Sequence, residues 1–185
     1  MQSGRLASTF WSKLSSGIIS DPSLFLPQTI SQKLQSSSIT NSTLRKIKSR
    51  FGAPTKNTAE DLLLNTYIRF AMAIQTRDEI ELASVTSASL FSTLSQSMAQ
   101  PLYLPFTIYT SFDGAKLLAA RQYSNQDNAP SHRSWFQLYF HLNALYDGEH
   151  KEQFLVVERR EADNDAEKDA WRITYLQDID LKAKA

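Results

Sequence analysis

Between Trp135 and Tyr146 the chain alternates without a break. Phe136, Leu138, Phe140, Leu142, Ala144 and Tyr146 fall on one side of an extended backbone, and Trp135, Gln137, Tyr139, His141, Asn143 and Leu145 on the other. This period-2 spacing predicts a strand with two unlike faces, and its even residues are expected to face a core. Asp147-Gly148 follows at once. An Asp-Gly pair between two such runs predicts a type I′ hairpin, because both central residues of that turn need positive φ, so 150–160 is read as the return strand. Trp171, Ile173 and Tyr175 alternate with Arg172 and Thr174 and predict one more strand, after an acidic loop over 162–169.

Ahead of these strands the period changes to that of helices. Thr58-Ala59-Glu60-Asp61 reads as an N-cap with acids in the first turn, followed by Leu63, Tyr67, Phe70, Ala71 and Ile74 on one stripe. A short helix over 78–83 and a third over 87–99 follow, the last placing Leu90, Phe91, Leu94 and Met98 inward and ending before Pro101. The stretches 102–112 and 115–124 flank Asp113-Gly114, which predicts a second hairpin on the same turn chemistry; 125–133, with Pro130, is read as a loop. Three helices followed by about five antiparallel strands give an α+β fold with the helices packed on one face of a curved sheet.

Further upstream, Leu44, Ile47 and Phe51 recur at i, i+3 and i+7 after Asn41, an N-cap residue type, while Arg45, Lys46, Lys48 and Arg50 occupy the remaining surface. A short basic amphipathic helix with Asn41 as its N-cap is expected. It can lie on anionic lipid or along an RNA backbone, or it belongs to a discarded presequence. At the very start, Arg5 and Lys13 accompany Leu6, Phe10 and Leu14 in a serine-rich, acid-poor run, the composition of a mitochondrial transit peptide; the other reading is a basic tail. If the segment is a presequence, Arg50 two residues before Gly52 resembles an arginine-minus-two site, with cleavage after Phe51.

Charge sharpens this division. Up to Asn57 there are eight basic residues and one acid, a net +7, whereas the remainder has twelve bases against eighteen acids, a net −6. The expected organisation is a basic serine-rich targeting or extension segment at 1–57, one domain at 58–180 and a tail at 181–185. Residues before Thr58 are expected not to bury a core. The 185 residues suit a single domain plus an extension. They contain no cysteine, which excludes a disulfide framework, thiolate ligands and a cysteine nucleophile. His132, His141 and His150 lack the close spacing of a helical metal site, and no glycine-rich phosphate loop or nucleophile-elbow motif occurs.

Four features together carry a resemblance: the first helix with Tyr67 and Phe70, the long strand ending Tyr146-Asp147-Gly148, the run Phe154-Leu155-Val156-Val157-Glu158-Arg159, and Ala170-Trp171-Arg172-Ile173. In this order, over 58–180, the chain resembles the nuclear-transport-factor-2-like superfamily. The closer likeness is to its mitochondrial branch, which holds the C-terminal domain of translocase of the inner membrane subunit 44 and related mitoribosome-associated proteins. The resemblance implies a cone-shaped roll. It also implies a non-enzymatic adaptor of the mitochondrial matrix, peripheral to the inner membrane, whose partner is a translocase, the mitoribosome or a respiratory assembly. No cofactor or metal is implied. Anionic lipid or ribosomal RNA would be met through Arg45, Lys46, Lys48 and Arg50.

The other class of function is acid-base chemistry or small-molecule binding in the roll's cavity. On the odd face of the long strand, Trp135, Tyr139, His141 and Asn143 are the candidates for a cavity or partner face, with Glu158 or Arg172 to orient them, since a histidine beside a carboxylate can act as a general base. The alternative is that His141 is an ordinary sheet histidine and the aromatics are packing.

Overall fold

A computed structural model describes residues 30–52, 55–98, 104, 106–124, 134–160 and 171–179. Among these residues four helices, α1 (Ile30–Phe51), α2 (Lys56–Thr76), α3 (Glu79–Val85) and α4 (Ala88–Met98), precede four strands, β1 (Phe112–Ser124), β2 (Ser134–Tyr146), β3 (Glu149–Arg160) and β4 (Arg172–Ile179). The strands form one antiparallel sheet in the order β1-β2-β3-β4. The class is therefore α+β, with four strands among the described residues where about five were expected. The targeting run, the loops over 125–133 and 162–169 and the tail lie outside the described residues.

β2 does what its alternation predicts. Phe136, Leu138, Phe140, Leu142 and Ala144 are fully buried, and the first four share one core with Tyr67, Phe70 and Ile74 of α2, Leu82 of α3 and Leu90 and Leu94 of α4. Tyr146 departs from the pattern: it is 47% exposed, because it stands at the hairpin end, beyond the helical layer. Asp147 and Gly148 both have positive φ, 51° and 76°, as a type I′ turn requires.

The second Asp-Gly behaves differently. Asp113 and Gly114 lie inside β1, where the pairing with β2 shifts register between Phe112 and Gly114 and Gly114 takes φ +152°. This is a bulge in an edge strand, the usual place for a glycine within a strand. The hairpin expected there lacks its upstream partner: Leu104 and Phe106 to Ser111 form no strand, and Pro105 has no amide to give to a ladder. Instead this segment caps one end of the core. The Tyr109 backbone N–H donates to Tyr67 Oη at 3.2 Å, and Thr107 donates from N and Oγ1 to Asp178 Oδ2 at 2.8 and 2.9 Å.

A further irregularity redirects β4. Val156 pairs with Tyr175 but Val157 with Ile173, leaving Thr174 as an extra residue. The simple alternation of Trp171, Ile173 and Tyr175 is broken there: Trp171 and Ile173 join the helix-facing core, whereas Tyr175 turns to the other face. Thr174 Oγ1 meets Ser87 Oγ at 3.1 Å while the Ser87 amide donates to the Ile173 carbonyl at 2.9 Å, so the bulge is where the α3-α4 junction is tied to the sheet edge.

α2 begins at Lys56 with Thr55 as its cap residue, three positions before the expected Thr58, and the Thr55 side chain makes no capping bond. Glu60 consequently sits beyond the first turn, and its Oε1 accepts from the Leu117 amide of β1 at 3.2 Å. At the other end Arg77 takes a left-handed φ of 56°, with its amide on Ile74 O and that of Asp78 on Ala73 O, a Schellman arrangement normally given to glycine. Asp78 then caps α3, accepting from the Glu81 amide at 3.0 Å.

The largest departure is α1. It starts eleven residues before Asn41 and runs for 22 residues, about 33 Å at the α-helical rise. Ser36, Thr40, Leu44, Ile47 and Phe51 recur every three or four residues on its sheet-facing side, with Thr43 beside Leu44. Ile47 is fully buried in the main core, and Leu44 and Phe51 pack against it. The expectation that nothing before Thr58 enters the core thus fails, because the stripe of Leu44, Ile47 and Phe51 needs a partner and the β1 edge supplies one. Thr40 Oγ1 accepts from the Ala120 amide at 3.4 Å and from Arg121 Nη1 at 3.3 Å. With Glu60, it occupies edge amides that would otherwise be open to pairing with another chain.

Candidate functional site

The four predicted cations of α1 are all exposed, but they divide into two pairs. Lys46 Nζ donates to Gln122 Oε1 at 2.9 Å, and the Arg50 guanidinium lies 5.6 Å from the centre of the Phe136 ring. Both belong to the flank that meets β1 and β2. Arg45 and Lys48 stand on the opposite flank, facing outward. Lys48 and Arg50 also occupy the last turn of the helix, where the partial negative charge of the terminal carbonyls favours them. Gly52 closes that end with φ +78° and its amide on Lys48 O at 2.9 Å, a conformation glycine adopts without steric cost.

On the second face of the sheet, the predicted residues are brought onto one surface but not into one constellation. Tyr139 is fully buried, Trp135 and His141 are half-buried, and Asn143 is exposed. Tyr139 Oη donates to Gln137 Oε1, and Gln137 Nε2 donates to Glu158 Oε2 at 2.8 Å. Glu158 is thus linked to Tyr139 through an amide, a group that does not titrate. His141 pairs elsewhere: its Nε2 lies 3.0 Å from Glu152 Oε2. The expected orienting role of Glu158 toward His141 is not what the geometry gives. Arg172 pairs with Glu158 in register along β3-β4. Around them Phe154, Val156, Tyr175 and Ala119 form a small apolar cluster with Tyr139, whose ring lies 6.2 Å from Phe154 in a stacked pair.

Two groupings carry no signal in the sequence pattern. Gln137 lies within an otherwise apolar and aromatic run, and only the fold reveals that Glu158 is its partner across β2-β3. The other is a polar knot at the end of the core, where Gln153, fully buried, donates from Nε2 to Thr107 O at 3.0 Å and to Asp178 Oδ1 at 2.7 Å. Beside it, burial pushes the Tyr67 phenol well above its ordinary value, with Asp178 and Tyr109 adding to the effect against the opposing Tyr109 amide bond. Burial, then Asp178, raises Tyr109 in the same direction. Both phenols are accordingly neutral donors or acceptors near neutral pH, and neither serves as a base.

Chemically, the second face offers a carboxylate held by an amide at Gln137 and a histidine beside a carboxylate at His141, four residues further along β2. Among the described residues no group of three or more His, Asp or Glu side chains is placed to share a metal ion, and no helix is long and apolar enough to cross a membrane. The chain matches no protein-family model and no curated protein.

Proposed function

We propose that the chain is a non-enzymatic adaptor, a docking protein of the mitochondrial matrix that sits peripherally on the inner membrane and serves protein import, mitoribosome attachment or respiratory-complex biogenesis. One observation carries this reading. A helix with five cations and no acid is anchored in an otherwise acidic α+β unit, with Arg45 and Lys48 directed away from it. A basic element so held keeps its charges at a fixed place, as a docking protein needs and a passing presequence does not. The acid-poor, serine-rich start of the chain supports a mitochondrial address, and the resemblance of 58–180 to the nuclear-transport-factor-2-like proteins of the inner membrane supports the adaptor role.

Fractionation tests it. Tagged chain expressed at its native level should appear inside mitochondria, remain with inner membranes at low salt, and leave them at high salt, since charge attraction between exposed surfaces is screened within about 3 Å at molar ionic strength. Recovery in the cytosol, or resistance to both salt and alkaline carbonate, would end this reading.

A second reading, a small-molecule binder or an isomerase or dehydratase-like enzyme acting in the cavity of a roll, draws on the Tyr139-Gln137-Glu158 network, in which a buried carboxylate lies beneath an aromatic surface. Glu158→Gln discriminates: an enzyme of this type loses turnover with its fold intact, whereas an adaptor keeps its membrane association.

A further inference from the structure

α1 has a second regular side besides the one buried on the sheet. Ile30, Leu34, Asn41, Arg45 and Lys48 follow one another at intervals of four, seven, four and three residues, which at 3.6 residues per turn keeps them on a single outward side. Ile30 is 78% and Leu34 68% exposed. The apolar pair stands at one end of this side and the cation pair at the other, about 16 Å further along the axis from Leu34 to Arg45. No acid occurs anywhere in the helix to oppose them. Lys46 and Arg50 lie off this side, one bonded to Gln122 and the other against Phe136.

We infer that the side of α1 formed by Ile30, Leu34, Arg45 and Lys48 is a docking surface for an anionic lipid bilayer. The helix lies tilted on the membrane, with Ile30 and Leu34 entering the acyl boundary and Arg45 and Lys48 at the headgroup phosphates. An RNA backbone would satisfy the two cations but leaves the two apolar side chains without a partner, whereas a bilayer offers a phase for each. Lys46 and Arg50 hold the helix to the sheet and are not part of the contact. This rests on the reading of the chain as a membrane-peripheral protein and names what it touches there.

The test is flotation of the purified full chain with phosphatidylcholine vesicles, alone or with cardiolipin or phosphatidylserine added. Binding is expected to both anionic compositions and not to phosphatidylcholine alone. Two charge-matched variants then separate the flanks. At about 1 kcal/mol per cation near an anionic surface, Arg45→Gln with Lys48→Gln should weaken binding roughly 30-fold. Lys46→Gln with Arg50→Gln removes the same charge but should weaken binding much less, while lowering the thermal midpoint that the first pair leaves unchanged. Ile30→Ser with Leu34→Ser should weaken binding to both anionic compositions at low salt without lowering the thermal midpoint.

Equal loss in the two charge-matched variants would show diffuse attraction by net charge and overturn the surface. So would failure of the native chain to float, or capture of purified ribosomal RNA without capture of vesicles. A native chain that fails to float yet still fractionates with inner membranes leaves the adaptor reading standing on a protein contact alone. Failure in both removes both.

Discussion

The guanidinium of Arg159 lies 3.8 Å above the ring of Phe51. Arg159 sits on the core face of β3, and Phe51 is the last residue of α1, so this stack joins the first described helix to a central strand more than a hundred residues away. The Phe136 ring meets Phe51 edge-on at 5.7 Å, and Arg50 approaches Phe136 from the helix. Two arginines and two phenylalanines thus clamp the end of α1, and Arg159 is buried within the clamp. Phe51→Ala should cost about 2–4 kcal/mol, combining lost apolar burial with a cation-π contact that is strong when desolvated. Urea denaturation of the full chain reads this directly. A chain begun at Gly52 lacks Ile47 as well and should unfold at much lower urea, so a cut after Phe51 would yield a damaged domain; an unchanged midpoint for that shortened chain would refute the clamp.

Phe140 gives a second measure of the same core. It is fully buried on β2 and paired with Leu117 and Leu155 on the neighbouring strands. Phe140→Ala should destabilise by about 3–5 kcal/mol, a large part of the stability of a domain this size. Tyr146→Ala at the exposed end of the same strand should cost far less. Comparable losses at the two positions would mean that burial does not decide the energetics of this sheet.

How far the sequence can be read is visible in such pairs. The alternation of β2 is legible because one face is lined without interruption by large apolar residues, and a one-residue slip would expose all of them. The turn at Asp147-Gly148 is legible because both flanks can pair. Asp113-Gly114 has the same two residues and becomes a bulge, since the described part of its upstream flank forms no strand and Pro105 in that flank has no amide for a ladder. α1 is readable from Asn41 onward, where Leu44, Ile47 and Phe51 mark its inner side. Its first three turns are serine- and glutamine-rich and contact the edge of β1 through hydroxyls, a pattern that does not differ from a solvated segment. At the candidate site, the placement of Gln137, Tyr139 and His141 on one face follows from period 2, but the carboxylates they meet across the sheet, Glu158 for Gln137 and Glu152 for His141, depend on cross-strand register, which local sequence does not specify.

Gly114 offers a prediction in which space and backbone can be separated. A Cβ there would meet nothing within 4 Å, yet φ is +152°. Gly114→Ala should therefore destabilise by about 1–2 kcal/mol through backbone strain alone. If the bulge is imposed by its neighbours rather than by glycine, the substituted chain will keep its stability, and the register of Phe112 against Ala144, followed by amide exchange, will be unchanged.

Tyr67 predicts how the fold responds to alkali. Its phenol is fully buried, accepts the Tyr109 amide at 3.2 Å and is raised well above the ordinary value of 10.0, burial being the main cause. In the unfolded chain the phenol ionises near that ordinary value, while in the folded chain it keeps its proton. Between the two, the unfolded state binds fewer protons than the folded one, so stability falls as pH rises. The loss begins at about pH 10 and approaches about 1.4 kcal/mol per pH unit for this one group. Below that pH both states are protonated, and the tyrosine contributes no pH dependence. Tyr109 is raised in the same direction and adds to the slope. Urea midpoints measured from pH 8 to 11 should stay level with respect to these groups and then drop. Tyr67→Phe lowers the plateau, because the Tyr109 amide loses its acceptor, but it should flatten the fall above pH 10. A variant whose midpoint falls as steeply as that of the native chain would show that Tyr67 is not the group whose ionisation opens the core.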